Sequence, residues 1–368
     1  MRDSKAFLGG ILEGLYATPI WLDSCRVSAW NLSTDRSPHH TKGILGHMRN
    51  VDALTIHVVV DNTSDMLSSR PTHVASELQV LMAAGMTELT GQGLCSAHHG
   101  LCLAVTAHFE DEERTVLFDA GPDPYALVRN SARMNFDFKK IDALVLSHGH
   151  FDHSEGLLKA AEMARTGNPT RRVPLHVHPG AFVKRAVRLP SGDLVTLQEV
   201  PSHEALEQAG VQIEESAQSE EILDGAFYLS GEIPRTSFER GLETQVRLGE
   251  SGEWEPDPLV MEERFMMALV KGKGLVVITG CSHAGIINIC RHASERFPDT
   301  PLYALIGGLH LVYPNENLIG ETIEELKGFG PKVIIAGHCT GWRAMNALVN
   351  AFGEEVIDPL AVGSCLSL

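Results

Sequence analysis

A layered α/β architecture follows from three features of the 368-residue sequence. Short β-branched runs alternate with segments of helical spacing, and an apolar content of 43% is enough for a large core. The runs finish in glycine-rich polar phrases, among them "DAG", "SHGH", "TGCSH", "GGLH" and "AGHCTG". In layered α/β proteins such strand ends are where the backbone approaches ligands and where chemistry is mounted.

Taken in order, residues 1–50 read as an appendage to a domain over 51–368. Phe7, Leu8, Ile11, Leu12, Leu15 and Tyr16 recur at helical spacing and predict an amphipathic helix that covers the body or a neighbouring subunit, the body being preferred. A secretory signal is not expected there, because Asp3 and Glu13 interrupt the apolar stretch and no small-x-small cleavage site follows. The domain opens at "LTIHVVVDN". Further strands are predicted in "LCLAVTAHF", "RTVLFDAG", "DALVLSHGH", "VPLHVHP", "AFYLSG", "FMMALV", "GLVVITG", "LYALIGG" and "KVIIAGH". Helices are expected at about 123–135, 154–165, 203–209, 285–296, 316–328 and 341–352. The acidic stretch "EALEQAGVQIEESAQSEEILDG" reads as a helix, a strand and a solvated connection.

The formal charge of -17 argues against nucleic acid or an anionic membrane as the main partner, since both reward clustered Lys and Arg. No run approaches the roughly 18–20 apolar residues of a membrane span. Seven cysteines, at 25, 95, 102, 281, 290, 339 and 365, are odd in number and form no C-x-x-C pair. A disulfide framework is therefore not expected, and a reducing, cytoplasmic setting is. The partner expected is a small molecule, with an anionic one and a homo-oligomer both compatible.

The sharpest local signal is "VLSHGHFDHSEGL", residues 145–157. The apolar "DALVLS" is a buried-type strand, so His148 and His150, two apart, leave the sheet pointing the same way. Asp152 and His153 follow a turn eased by Gly149, ahead of a helix expected to be capped by Asp152 or Ser154. Four strong polar groups so close together need a shared cation. Imidazole with carboxylate is the donor set for zinc or a similar first-row divalent ion such as Mn or Fe.

These residues resemble the metallo-β-lactamase fold superfamily, in which H-x-H-x-D-H carries two metals at the top of a four-layer αββα sandwich. The resemblance covers roughly 52–363. It implies that His148, His150 and His283 of "TGCSHAGI" hold one metal, and that Asp152, His153 and His338 of "AGHCTGW" hold the other. Asp119, ending "VLFDAG", matches the aspartate that orients a ligand. Where many members carry a bridging aspartate this chain has Cys281, which either packs or ligates as a thiolate, packing being favoured. His310 and Glu232, at other strand ends, are further candidates to line the site, His310 ahead of Glu232. His176, His178 and His203 read as ordinary histidines. "VDN", "HHGLCLAV", "SGEIPR", "GCSHAGI", "GGLHL" and "GHCTGW" together look like the branch containing the dihydropterin and ribofuranosylaminobenzene-phosphate synthases of methanopterin biosynthesis, which also holds metal-dependent hydrolases.

The leading expectation is a hydrolase in which a dinuclear centre, two zinc ions by preference, activates water against an ester, lactone or phosphoester, with Asp152 holding or deprotonating it. A transferase that releases pyrophosphate from a pterin-like substrate is the alternative, and a sensor with a relic metal site the third. Lys184, Arg185, Arg235 and Thr340 are candidates to bind an anionic substrate.

Overall fold

The computed structural model describes residues 48–239 and 241–368; the amphipathic helix expected from Phe7 to Tyr16 lies outside them. Two eight-stranded sheets dominate. One runs, in spatial order, Val211–Glu215, Val173–Val177, Ala143–Val145, Glu113–Phe118, Cys102–His108, Ala53–Val60, Cys365–Ser367 and Val74–Ala75. The other runs Glu220–Ile222, Phe227–Leu229, Met266–Val270, Gly274–Thr279, Leu302–Gly308, Val333–Gly337 and Ile357–Pro359, with Asn50–Val51 beside Met266–Val270.

Residues alternate along each long strand between two cores, as the period of two requires. In Leu302–Gly308, Ala304 and Ile306 face a core shared with Val116, Phe118, Ile56 and Leu103 of the other sheet. Leu305 instead faces the helices Ile286–Arg296, Ile319–Phe329 and Trp342–Phe352. Across the molecule, Leu117, Ala104 and Leu144 face Pro124–Arg133, Leu157–Ala164 and His203–Gln208. Helices, sheet, sheet, helices is thus the order of layers, the αββα sandwich expected.

Three details differ from the sequence reading. The helix expected over 154–165 is a single turn, Phe151–Ser154, followed by Leu157–Ala164. The break falls at Gly156, where a Cβ would overlap the carbonyl of Ala120, so the chain must pass close there without a side chain. Neither Asp152 nor Ser154 caps it: the residue before the turn is His150, which makes no side-chain capping bond. Finally, Arg185–Arg188, Leu194–Thr196, Gln245–Leu248 and Trp254–Pro256 build a separate four-stranded antiparallel sheet that the sequence does not announce. Among the described residues, no helix is long and apolar enough to cross a membrane.

Candidate metal centre

The candidate residues gather at the carboxyl ends of parallel strands. Asp119 follows Glu113–Phe118 and His148 follows Ala143–Val145, two strands paired in parallel. Cys281, His310 and His338 follow Gly274–Thr279, Leu302–Gly308 and Val333–Gly337, which are parallel neighbours in the second sheet. Asp119, Ser282, His310 and His338 all take left-handed backbone, with φ of 59, 61, 44 and 49°. Asp and His tolerate that region better than most residues, and strain of this kind concentrates at functional sites.

His148 Nε2, His150 Nδ1 and His283 Nε2 form a triangle with edges of 3.0, 3.2 and 3.2 Å. The remaining ring nitrogens determine which protons are where. His150 Nε2 lies 2.7 Å from Gln245 Oε1, an acceptor, so that nitrogen carries the hydrogen and Nδ1 is bare. Ser147 Oγ donates to Asp119 Oδ2 at 2.8 Å, which leaves it to accept from His148 Nδ1 at 2.9 Å and leaves His148 Nε2 bare. Burial, the main cause, holds His148 and His283 well below the usual histidine pKa and brings His150 down to about 4. The bare nitrogens of His148 and His150, 3.0 Å apart, repel without a shared cation. A tetrahedral zinc with Zn–N near 2.0–2.1 Å places its nitrogens about 3.3 Å apart. The triangle fits such an ion.

A second set, Asp152, His153 and His338, adjoins the first. Asp152 Oδ2 lies 3.8 Å from His153 Nε2 and 3.4 Å from His338 Nε2, and neither nitrogen of His338 makes a well-formed hydrogen bond. Burial opposes ionisation of Asp152, but His153 and His338 outweigh it and hold the carboxyl well below its ordinary range. Burial likewise lowers His153, yet Asp119 and Asp152 outweigh it and raise its pKa to about 9, surroundings that equally suit a metal cation. Asp119 Oδ2 accepts from His153 Nδ1 at 2.6 Å and its Oδ1 from the Ser147 amide at 2.7 Å. Gly280 leaves room for this, since a Cβ there would overlap Ser147 Oγ. The backbone of His338 is held from both sides, its amide donating to Asp61 Oδ1 at 3.0 Å and its carbonyl accepting from Asn62 Nδ2 at 2.8 Å.

Cys281 faces the cluster, its Sγ 3.2 Å from His153 Nε2 and grouped with His148 and His153. His310 stacks edge-on against His283 at 4.4 Å between ring centroids, with Nδ1 unpartnered. Both line a cavity of about 470 Å³ whose floor carries His150, Asp152, His283, His338 and Cys339. Phe151, Val187, Leu197, Leu242 and Val312 make apolar walls, several of them on or next to the small sheet.

The proposed anion binders are not in this cavity. Arg185 is buried, with its guanidinium 3.1 Å from Asp257 and 2.7 Å from Glu262 and bonded to the carbonyls of Val183 and Gly180. Arg235 is spent on the carbonyls of Ile233, Leu259 and Val260. Thr340 is fully buried, its hydroxyl accepting from the Leu309 amide at 3.0 Å. Lys184 pairs with Glu199 at the surface. Glu232 is also outside the lining, 3.6 Å from His178, while His176 and His203 sit beside Glu220 and Glu215.

Sequence reasoning passed over Gln245, Asp61, Asn62, His99 and Cys339. Asp61 and Asn62 sit in the "VDN" phrase directly after a strand, a position that could have flagged them. Gln245 carries no such signal.

Comparison with known proteins bears on the fold. The beta-lactamase superfamily domain pattern matches residues 114–220. In sequence the chain is 29% identical over 262 residues to the 7,8-dihydropterin-6-methyl-4-(beta-D-ribofuranosyl)-aminobenzene-5'-phosphate synthase of Methanocaldococcus jannaschii, covering 70% of this chain and 86% of that protein. An uncharacterized protein of the same organism is 29% identical over 252 residues, covering 68% and 88%. A solved structure described as a metal-dependent hydrolase of the beta-lactamase superfamily superposes with a TM-score of 0.63 at 22% identity, covering 86% of this chain and 98% of that one. The chain has the metallo-β-lactamase fold, and over residues 114–220 it is similar to the beta-lactamase superfamily domain.

Proposed function

We propose that the protein is a metal-dependent hydrolase acting on a small-molecule ester, lactone or phosphoester through a dinuclear divalent-metal centre, zinc by preference. The observation that carries this reading is the pair of adjoining donor sets, His148–His150–His283 and Asp152–His153–His338, which reach one cavity through His150 and His283 and through Asp152 and His338. When bound, the ions supply Lewis acidity and acidify water near neutral pH. Asp152, ionised and reaching the cavity, orients the attacking water. His99, with its Nε2 3.6 Å from Asp152 Oδ2 and its side chain open to solvent, carries the proton away. Apolar walls exclude bulk water and seat the uncharged part of the substrate. Among the described residues lining the cavity none is Lys or Arg.

A second reading, group transfer with release of pyrophosphate from a pterin-like substrate, is favoured by the likeness to the archaeal synthase over 86% of that protein. The two separate on one experiment. Protein loaded with Zn, Mn or Fe is incubated with a phosphodiester, an ester, a lactone, and a pterin pyrophosphate with an aromatic nucleophile. Metal-dependent hydrolysis lost in His148→Ala supports the first reading. Carbon transfer without hydrolysis overturns it in favour of the second, and absence of bound metal with no effect of His148→Ala overturns both.

A further inference from the structure

We propose that Cys281, His310 and Cys339 form a third metal site on the cavity floor, taking a thiophilic divalent cation such as zinc or cadmium beside the two ions the fold implies. The three residues follow three neighbouring parallel strands, so the sheet itself brings them together. Their ligand atoms lie within 4.8 Å of one another, and none of the three belongs to the two donor sets above. All three line the cavity, which leaves a fourth position open toward it.

Two cysteines and a histidine with an open place are a known zinc donor set, and sulfur disfavours Mn and Mg. Buried cysteines usually act as small hydrophobes, and Cys339 Sγ donates to the Cys281 carbonyl at 3.4 Å, but two further details suit a ligand. Gly308 has no Cβ where one would stand 2.6 Å from Cys339 Sγ and 2.6 Å from the Gly280 carbonyl, so the strand end is cut away around the sulfur. His310 is held in left-handed backbone with its Nδ1 buried and unpartnered. Charge also permits the arrangement: two thiolates neutralise one divalent ion, so a third cation adds no net charge next to the first two. Cys281, 3.2 Å from His153 Nε2, places this site in contact with the Asp152 set.

The proposal does not depend on the hydrolytic reading. Metal-free, fully reduced protein is titrated with Co(II) while bound metal is counted by mass spectrometry and thiolate-to-cobalt charge-transfer absorbance is followed in the near ultraviolet. Wild type is expected to take up three ions per chain and to show that absorbance. Cys339→Ser is expected to take up two and to lose most of the band, with Cys281→Ser and His310→Ala as independent checks. His148→Ala is expected to keep the band while losing an ion from the imidazole set. Two ions per chain in wild type overturn the proposal, with or without the band, since a band at that stoichiometry makes the cysteines ligands of the pair proposed above. Three ions retained in Cys339→Ser overturn it as well.

Discussion

Arg185→Met tests whether this arginine serves the scaffold or the substrate. The side chain is 3% exposed and sits between Asp257 and Glu262, whose own side chains are 8% and 3% exposed. Removing it strands two buried carboxylates and frees the carbonyls of Val183 and Gly180. Breaking a buried ion pair from one side costs about 3–5 kcal/mol. Protonation of Glu262 relieves part of this, which favours the lower end. At roughly 1.3 °C per kcal/mol for a chain of this size, the melting temperature should fall by roughly 4–7 °C. A second effect should follow through Gln245, whose Nε2 lies 3.4 Å from Asp257 and whose Oε1 holds His150. Metal affinity is therefore expected to fall together with stability. Urea unfolding and chelator competition read the two separately. Lys184→Ala is the control: its pair with Glu199 is half exposed and is worth less than about 1 kcal/mol. If Arg185→Met unfolds at the wild-type urea concentration while only KM rises, the scaffold assignment is wrong.

Two more substitutions probe the surroundings of the centre. Burial, the largest cause, raises Glu262 from 4.5 to about 7 against the opposing pull of Arg185. The folded state therefore favours the protonated form, and the associated stability is full below about pH 4.5 and lost as pH rises through about 7, by about 3 kcal/mol at most. Glu262→Gln should flatten the stability curve over that window; an unchanged slope in chemical denaturation would assign it to other groups. Asp119→Asn removes the charge that fixes the proton on His153 Nδ1, and metal affinity should drop about 10–100-fold. Wild-type affinity in the same chelator competition would mean that Asp119 does not orient His153.

The layers were legible because long strands such as Ala53–Val60 and Gly274–Thr279 are mostly apolar and are followed directly by aspartate or glycine. The small sheet was not. Its strands have three or four residues of mixed polarity, too few to show a period of two, and they pair only with one another. In the site, the H-x-H-x-D-H array declared itself by local spacing. Cys339 hid behind the adjacent His338, because its meaning depends on Cys281, 58 residues earlier, and on His310 at a third strand end. The basic candidates failed for a related reason: neither Arg185 nor Arg235 shows in its local sequence that folding will surround it with acceptors from distant segments.

The small sheet has a consequence for how the molecule can diversify. The floor of the cavity is mounted on the two large sheets, whereas Val187, Leu197 and the neighbouring Leu242 hang from a structure hydrogen-bonded to neither. Descendants of this chain could exchange that canopy and meet new substrates while the ligands stay in place. Gln245 is the exception, a canopy residue whose side chain reaches down to His150. Any inherited change that shifts the strand carrying it should be felt as altered metal retention before it is felt as altered substrate choice.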